Sequence, residues 1–237
     1  MTLWWFRLGS AAEATPALEL LDADERARFR QLRDPDAARF FAFRRAARRA
    51  ILASCLGADP ASLGFANSPG GKPHLAEPPC RIGFNASDSG TLGVVAINPD
   101  GPVGVDLELP RALDAARFGE RILSPAERMI CQTAPPGERM RLILRAWTVK
   151  EAVLKGTGTG LDLWALRQIA APLAARPDAW QAVALSGRMA DRGSWQVWTH
   201  MLAVGQPQPA VVSLAAPSAL PVRVVDARPL LAQFGLG

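Results

Sequence analysis

Cysteine and histidine are scarce in this sequence of 237 residues. Cys55, Cys80 and Cys131 are odd in number and form no C-x-x-C pair, which excludes a disulfide framework and a cysteine-based zinc site. Only His74 and His200 are available for a histidine-based catalytic or metal site. The cysteines are therefore predicted to be reduced thiols, and Ser-His-Asp chemistry has few candidates.

Long apolar runs are also absent. No window approaches the roughly 20 consecutive apolar residues of a membrane-spanning helix, and the first residues lack the basic leader and apolar run of a signal peptide. Because 49% of the residues are apolar, the chain can still bury one large core or two smaller ones. We expect a folded cytoplasmic protein without a membrane partner.

Lysine is rare although the chain is basic, with a formal charge of +5. Only three of the 27 basic side chains are lysines, namely Lys72, Lys150 and Lys155. A lysine ammonium is a compact charge and an arginine guanidinium a planar fork, so each lysine is a candidate for a site that needs the smaller group. The alternative is chance survival at exposed positions. The charge itself favours a polyanion, an acidic protein or a phosphorylated small molecule as partner.

A second basic feature lies in the N-terminal part, where residues 17–52 are predicted to form two helices divided at Pro35. Like charges four residues apart destabilise a helix, so an acid-free basic run indicates either an anionic ligand or a solvated face. The second predicted helix carries such a run, consisting of Arg39, Arg44, Arg45, Arg48 and Arg49.

Short strands are predicted next, at 82–84 and 91–97, with a polar turn at 85–90 between them. Residues 103–109 alternate with period two after a turn at 98–101, which predicts an antiparallel hairpin with the preceding strand. Further helices are expected around 111–119, 124–132 and 137–155. Because helices followed by strands recur loosely in both halves, we predict an α+β fold of two similar α/β units.

Two acidic motifs carry candidate chemistry. Asp106 and Glu108 share one face of a predicted strand, about 6.6 to 7 Å apart, which is a credible half-site for Mg²⁺. Glu151 lies on the apolar face of its helix with Leu144, so it is predicted to join them at the metal, while Lys155 faces a phosphate. The alternatives are two polar residues on a wet strand face and a plain Glu151–Lys155 ion pair.

The same residues carry a family resemblance. Residues 104–108 (GVDLE), followed about forty residues later by 147–155 (WTVKEAVLK), resemble the paired signature of the 4'-phosphopantetheinyl transferases, G-[IV]-D-x-E and W-[ST]-x-K-E-[AS]-x-x-K. Residues 71–73 (GKP), 84–87 (FNAS) and 123–127 (LSPAE) resemble flanking motifs of its broad-range monomeric branch. The resemblance implies two halves, 1–101 and 102–237, related by pseudo-twofold symmetry with the active site at their interface.

The implied reaction transfers 4'-phosphopantetheine from coenzyme A to a serine of an apo acyl or peptidyl carrier protein and releases 3',5'-ADP, with Mg²⁺ or Mn²⁺. The second half is expected to hold the metal through Asp106, Glu108 and Glu151. Glu151 and Lys155 are implied to be catalytic, with Glu127 as a further acid. The first half is expected to bind the coenzyme A phosphates. The residues implied to contact coenzyme A are Arg39, Arg44, Lys72, Pro73, Ser87, Asp88, Lys150 and Lys155.

Asp88 departs from the family pattern, which commonly has histidine after Asn-x-Ser at a position that faces the 3'-phosphate of coenzyme A. A carboxylate there would repel a phosphate. One interpretation is that Asp88 is an ordinary turn or helix-cap residue displaced from the ligand. The other is weakened discrimination for the 3'-phosphate.

Two other functions compete with this one. A metal-dependent nuclease or phosphodiesterase would also use strand carboxylates and a lysine, but the usual carboxylate-x-lysine order on a strand is missing. A basic nucleic-acid-binding module would explain the arginines and leave the carboxylates without a role. The resemblance implies a monomer, and we expect no nucleic-acid partner. The positive charge would favour encounter with acidic carrier proteins.

Overall fold

The computed structural model describes residues 1–9, 14–111, 115–160, 162–205 and 207–236. Its first part contains helices α1 to α3 and strands β1 to β5. In chain order these are β1 (Thr2–Arg7), α1 (Ala14–Glu19), α2 (Ala23–Gln31), α3 (Pro35–Leu56), β2 (Gly64–Asn67), β3 (Pro73–Glu77), β4 (Gly83–Ser89) and β5 (Leu92–Asn98).

The second part contains helices α4 to α8 and strands β6 to β11. In chain order these are β6 (Gly104–Glu108), α4 (Ala115–Ile122), α5 (Pro125–Thr133), α6 (Pro136–Thr157), α7 (Leu163–Leu166), β7 (Ile169–Ala170), β8 (Gln181–Leu185), β9 (Trp195–Leu202), β10 (Ala210–Ala216), β11 (Arg223–Asp226) and α8 (Arg228–Ala232).

The two main sheets pack face to face between two long helices. One sheet has the strand order β11-β1-β5-β4 and the other β6-β10-β9-β8-β7, while β2 and β3 form a separate hairpin. Helix α3 shares a buried apolar cluster with the first sheet, and α6 shares another with the second sheet. A third cluster joins the sheets through residues such as Trp5 and Leu107. The α+β prediction is therefore confirmed.

The helix predictions hold in their main features. Helix α3 begins at Pro35 after the N-cap Asp34, and α5 and α6 lie where helices were predicted. The stretch before Pro35 contains two helices because Asp22 and Glu25 form a capping box that starts α2. Of the helix predicted at 111–119, residues 112–114 lie outside the described residues, and α4 follows them.

The predicted hairpin between residues 91–97 and 103–109 is wrong. Strand β5 pairs with β1 on one edge and β4 on the other, so no edge remains for β6, which pairs with β10 instead. The polar turn predicted at 85–90 is also wrong, since β4 runs through Ser89. The turn at 98–101 therefore carries the chain from one sheet to the other.

The end of the chain returns to the first sheet. Strand β11 pairs in parallel with β1, and Leu231 of α8 packs in the cluster of α3. Residues 223–232 thus lie with the predicted N-terminal half rather than the C-terminal one, because β1 has a free edge that β11 covers. The pseudo-twofold relation of the two halves stays a prediction. In the described part of the chain, no helix combines the length and apolar character needed to cross a membrane.

Candidate active site

A cavity of about 410 Å³ opens between α3, the loop before β3, strand β4 and the C-terminal end of α6. The cavity therefore takes its walls from both long helices, from the β2–β3 hairpin and from β4 of the first sheet. Its lining is rich in basic side chains, so its charge suits a ligand with several phosphates. These basic side chains are Arg44, Arg45, Arg48, Lys72 and Lys155.

Lys155 lines this cavity and contacts two of the predicted carboxylates. Its Nζ lies 2.6 Å from Asp106 Oδ1 and 3.3 Å from Glu151 Oε2. Strand β6 supplies Asp106, and α6 supplies the other two residues one helical turn apart. The structure therefore brings Asp106, Glu151 and Lys155 together.

The protonation of this group follows from its burial. Asp106 is only 3% exposed. Burial raises the pKa of Asp106 to about 7, against the opposing effect of Lys155, and the charge of Glu151 adds to the rise. Burial alone would lower the pKa of Lys155, but the two carboxylates raise it above its ordinary value. At neutral pH the protonated Lys155 therefore faces Asp106, whose pKa lies near the pH of the solution.

Glu108 lies at the end of β6, beside this group, and both of its carboxylate oxygens have hydrogen-bond donors. Ser89 Oγ donates to Oε2 at 2.9 Å, and Trp147 Nε1 donates to Oε1 at 3.1 Å. Arg111 lies 3.6 Å from Oε1. By contrast, Oδ2 of the buried Asp106 has no hydrogen-bond partner.

An oxygen-seeking cation suits these donors, since carboxylates are the protein ligands that Mg²⁺ prefers and a buried carboxylate oxygen without a partner is costly. Within the residues that the structure describes, however, no three acidic, histidine or cysteine side chains already stand in a metal-holding group. The ammonium of Lys155 lies against both Asp106 and Glu151. A divalent cation at these carboxylates would therefore compete with Lys155.

Residues 102–206 match the model of the 4'-phosphopantetheinyl transferase superfamily. The 4'-phosphopantetheinyl transferase HetI of Nostoc sp. is 34% identical over 144 residues, which are 60% of this chain and 61% of HetI. Over the matched segments, the chain is therefore similar to the 4'-phosphopantetheinyl transferases. The matched segment contains both acidic motifs and so agrees with the resemblance found in the sequence.

Other relatives match smaller shares of their own length. The 4'-phosphopantetheinyl transferase of Bacillus subtilis is 33% identical over 48% of this chain and 50% of its own. The L-aminoadipate-semialdehyde dehydrogenase-phosphopantetheinyl transferase of Eremothecium gossypii is 34% identical over 65% and 57%. The chain thus spans about three fifths or less of the curated relatives it matches. An apo-ACPS structure from Chronobacterium ammoiniagenes covers 48% of this chain and 94% of its own at 23% identity and a TM-score of 0.29, so no conclusion rests on it.

Two residues of the transferase motifs lie apart from the cavity. Lys150 is fully buried, and its Nζ lies 2.8 Å from Glu127 Oε2 and 2.9 Å from the carbonyl oxygens of Ile122 and Leu166. Burial lowers the pKa of Lys150, against the opposing effect of Glu127. Neither residue lines the cavity. The structure therefore does not place Glu127 and Lys150 beside Asp106, Glu151 and Lys155.

Lys72 of the G-K-P segment lines the cavity but is held by backbone. Its Nζ donates to the carbonyl oxygens of Val103 at 2.9 Å and Gly156 at 2.8 Å. Burial lowers the pKa of Lys72 to about 8. Pro73 follows it in the cavity wall. This lysine therefore links the loop before β3 to the start of β6 and the end of α6.

Asp88 lies in the cavity wall and forms an ion pair with Arg44. Nη1 of Arg44 is 2.8 Å from each carboxylate oxygen. The interpretation of Asp88 as a turn or helix-cap residue is wrong, because β4 continues to Ser89 and directs Asp88 towards α3. Arg44 is therefore compensated by an acid that is 44 residues distant in the sequence.

The arginines of α3 divide into several groups. Arg39 pairs with Asp36 at 3.1 Å and is outside the cavity lining. Arg49 is fully buried and pairs with Asp22 and Glu25 of the preceding segment. These two acids were not predicted as partners of the arginines, because they lie outside the basic span. Arg45 and Arg48 were predicted only as part of the basic run and not as contacts of coenzyme A, yet both line the cavity.

Ser87 is not in the cavity wall but bridges the acidic group. Its Oγ donates to Asp106 Oδ1 at 2.8 Å and accepts from Lys155 Nζ at 3.1 Å. Asn85 and Ser89, two residues before and after it, also contact β6 and were not predicted site residues. The period-two spacing of these three polar residues was the available signal, which the prediction of a turn concealed.

Proposed function

We propose that this protein transfers the 4'-phosphopantetheine group of coenzyme A to a serine hydroxyl of an apo acyl or peptidyl carrier protein and releases 3',5'-ADP. The observation that carries the proposal is the contact of Asp106 and Glu151 with Lys155, which itself lines the basic cavity. The similarity of residues 102–206 to the 4'-phosphopantetheinyl transferase superfamily supports the same reaction.

In this reaction the serine oxygen forms a bond to the phosphorus next to the pantetheine arm. The bond from that phosphorus to the bridging oxygen breaks, 3',5'-ADP leaves, and the serine proton passes to a base. Such a transfer depends mainly on positioning and charge neutralisation. Lys155 is the residue we assign to the diphosphate, because its ammonium faces the cavity and keeps its proton at neutral pH.

We also propose Mg²⁺, or Mn²⁺ in its place, with Asp106, Glu108 and Glu151 as the ligands. The unpartnered Oδ2 of Asp106 supports this donor set. When bound, the cation would neutralise charge on the diphosphate oxygens. Glu151 is our candidate for the base. Glu127 is not, because its carboxylate oxygens already accept from Ser124, Ala171 and Lys150.

The remaining phosphate contacts are assigned to the basic wall of the cavity. Arg44, Arg45 and Arg48 come from α3, and Lys72 from the opposite side. Arg39 and Lys150 are not assigned to coenzyme A, because neither lines the cavity. Because one chain supplies all of these groups, the proposal is for a monomer, and we place it in the cytoplasm, where coenzyme A and carrier proteins occur.

Intact mass spectrometry tests the proposal directly. Candidate apo carrier proteins incubated with coenzyme A and Mg²⁺ should gain the mass of one phosphopantetheine group. Asp106→Ala should abolish the gain, while the matched control Asp100→Ala, an exposed aspartate on the turn after β5, should leave it intact. Failure of fatty-acid, polyketide and nonribosomal-peptide carriers alike to gain mass would reject the transferase. Nicking of plasmid DNA with Mg²⁺ would instead favour the nuclease.

A further inference from the structure

Strands β4 and β6 lie side by side at the junction of the two sheets without forming a backbone ladder. Each strand is at the edge of its own sheet, β4 beside β5 and β6 beside β10. An edge strand leaves N–H groups that need partners. Here the partners are side chains: Val105 N donates to Asn85 Oδ1 at 2.9 Å, and Leu109 N donates to Ser89 Oγ at 3.1 Å.

The same row of side chains reaches the carboxylates. Ser87 Oγ donates to Asp106 Oδ1 at 2.8 Å, and Ser89 Oγ donates to Glu108 Oε2 at 2.9 Å. Residues two apart on a strand share one face, and the acidic pair has the same spacing as the serine pair. Each serine therefore meets one carboxylate, in register. We call Asn85, Ser87 and Ser89 the β4 polar row.

From this register we infer that Ser87 and Ser89 are positioning residues that fix the orientation of Asp106 and Glu108 for a divalent cation. The inference rests on the proposed function for the identity of that cation. Ser87 holds Oδ1 of Asp106 and leaves the buried Oδ2 without a partner. Ser89 donates to Oε2 of Glu108 and accepts from the backbone N–H of Leu109. It therefore fixes the Glu108 carboxylate relative to the backbone that follows Glu108.

One consequence is that the segment matching the family model does not contain its complete site. Residues 102–206 include Asp106 and Glu108, whereas the β4 polar row comes from the preceding sheet. The two sheets thus have to assemble correctly before the carboxylates take their positions. Hydrogen-bond partners of this kind change metal affinity about 10- to 100-fold when they are removed.

Mn²⁺ binding separates positioning from general stability. Ser87→Ala and Ser89→Ala should each weaken Mn²⁺ binding, measured by the electron paramagnetic resonance signal of free Mn²⁺ with coenzyme A present, by about tenfold. Ser87→Thr and Ser89→Thr keep the hydroxyl and should stay within about threefold of the wild type. The matched control is Ser54→Ala, an exposed serine on α3, which should bind Mn²⁺ as the wild type does.

Wild-type Mn²⁺ affinity in both alanine variants would overturn the inference, and so would a wild-type protein that binds no Mn²⁺. If Ser87→Ala does not fold, Mn²⁺ binding is measured on Ser87→Cys instead. A thiol is only a weak donor, so this variant should also bind Mn²⁺ more weakly than the wild type. The concentration of Mn²⁺ that half-saturates transfer should rise in parallel with the dissociation constant. Failure of the wild type to modify any carrier protein rejects the proposed function, whereas the Mn²⁺ comparison still decides the role of the serines.

Discussion

Replacing Glu127 with alanine separates a structural role from a catalytic one for a residue that the family resemblance implies to be a further acid of the site. Glu127 is 3% exposed and Lys150 is fully buried. Besides its ion pair with Lys150, the carboxylate accepts from the backbone N–H groups of Ala171 and Ser124, each at 2.7 Å. The substitution therefore leaves a buried ammonium without its counterion and two N–H groups without acceptors.

The expected loss of stability is large. Removing one partner of a buried ion pair costs about 3 to 5 kcal/mol, and a buried N–H left unsatisfied costs about 1 to 3 kcal/mol. These contributions are coupled and do not add fully. Taking about 4 kcal/mol as the result, Glu127→Ala loses much of the roughly 5 to 15 kcal/mol that stabilises a typical domain. The melting temperature should fall by about 8 to 16 °C.

Urea unfolding followed by circular dichroism, together with the transfer assay, tests this expectation. Glu138→Ala removes an exposed acid from the first turn of α6 and should change stability by less than about 0.5 kcal/mol. Glu127→Gln combined with Lys150→Met removes both charges of this buried pair and should recover part of the loss. A Glu127→Ala protein with wild-type stability and no transfer activity would refute the reasoning and favour Glu127 as a chemical participant.

Three further predictions concern the cavity. Asp88→His frees Arg44, so the preference for coenzyme A over dephospho-coenzyme A, measured as the ratio of kcat/KM values, should rise about tenfold; an equal and strong preference in both proteins would exclude competition by Asp88. Burial raises the pKa of Asp106 to about 7, so as the pH rises Asp106 loses its proton in the unfolded state before it does so in the folded state. The stability of the wild type relative to Asp106→Asn should therefore fall by roughly 2 to 4 kcal/mol between pH 4 and 7. A pH-independent difference between their urea midpoints would contradict this. Lys155→Met should lower kcat at least 100-fold in the transfer assay, and near-normal turnover would remove Lys155 from the diphosphate.

The sequence determined much of the candidate site. Asp106 and Glu108 fall on one strand face because side chains alternate, and Glu151 and Lys155 meet because residues four apart share a helix face. Helix α3 begins at Pro35 for an equally local reason, since proline suits the first helical turn and Asp34 caps it. Such features depend on a few neighbouring residues, so pattern and spacing predict them.

Pairing between distant segments was decided only by tertiary structure. The strands around the turn at 98–101 look like a hairpin, but β5 is enclosed by β1 and β4 while β6 joins β10. Arg44 meets Asp88 across 44 residues, and Lys150 meets Glu127 inside the core. Local sequence does not encode which edges or charges meet, because that choice depends on the total burial achieved by the whole chain.

The roles of the rare lysines show the same division. Composition marked Lys72, Lys150 and Lys155 as special, and each is held at a defined position. Only the fold distinguishes their surroundings. Lys155 lies beside Asp106 and Glu151, Lys150 is enclosed in the core beside Glu127, and Lys72 lines the cavity with its ammonium on the carbonyl oxygens of Val103 and Gly156. A single charge type thus serves three different purposes, because its surroundings, rather than its identity, set its partners and its exposure to ligand.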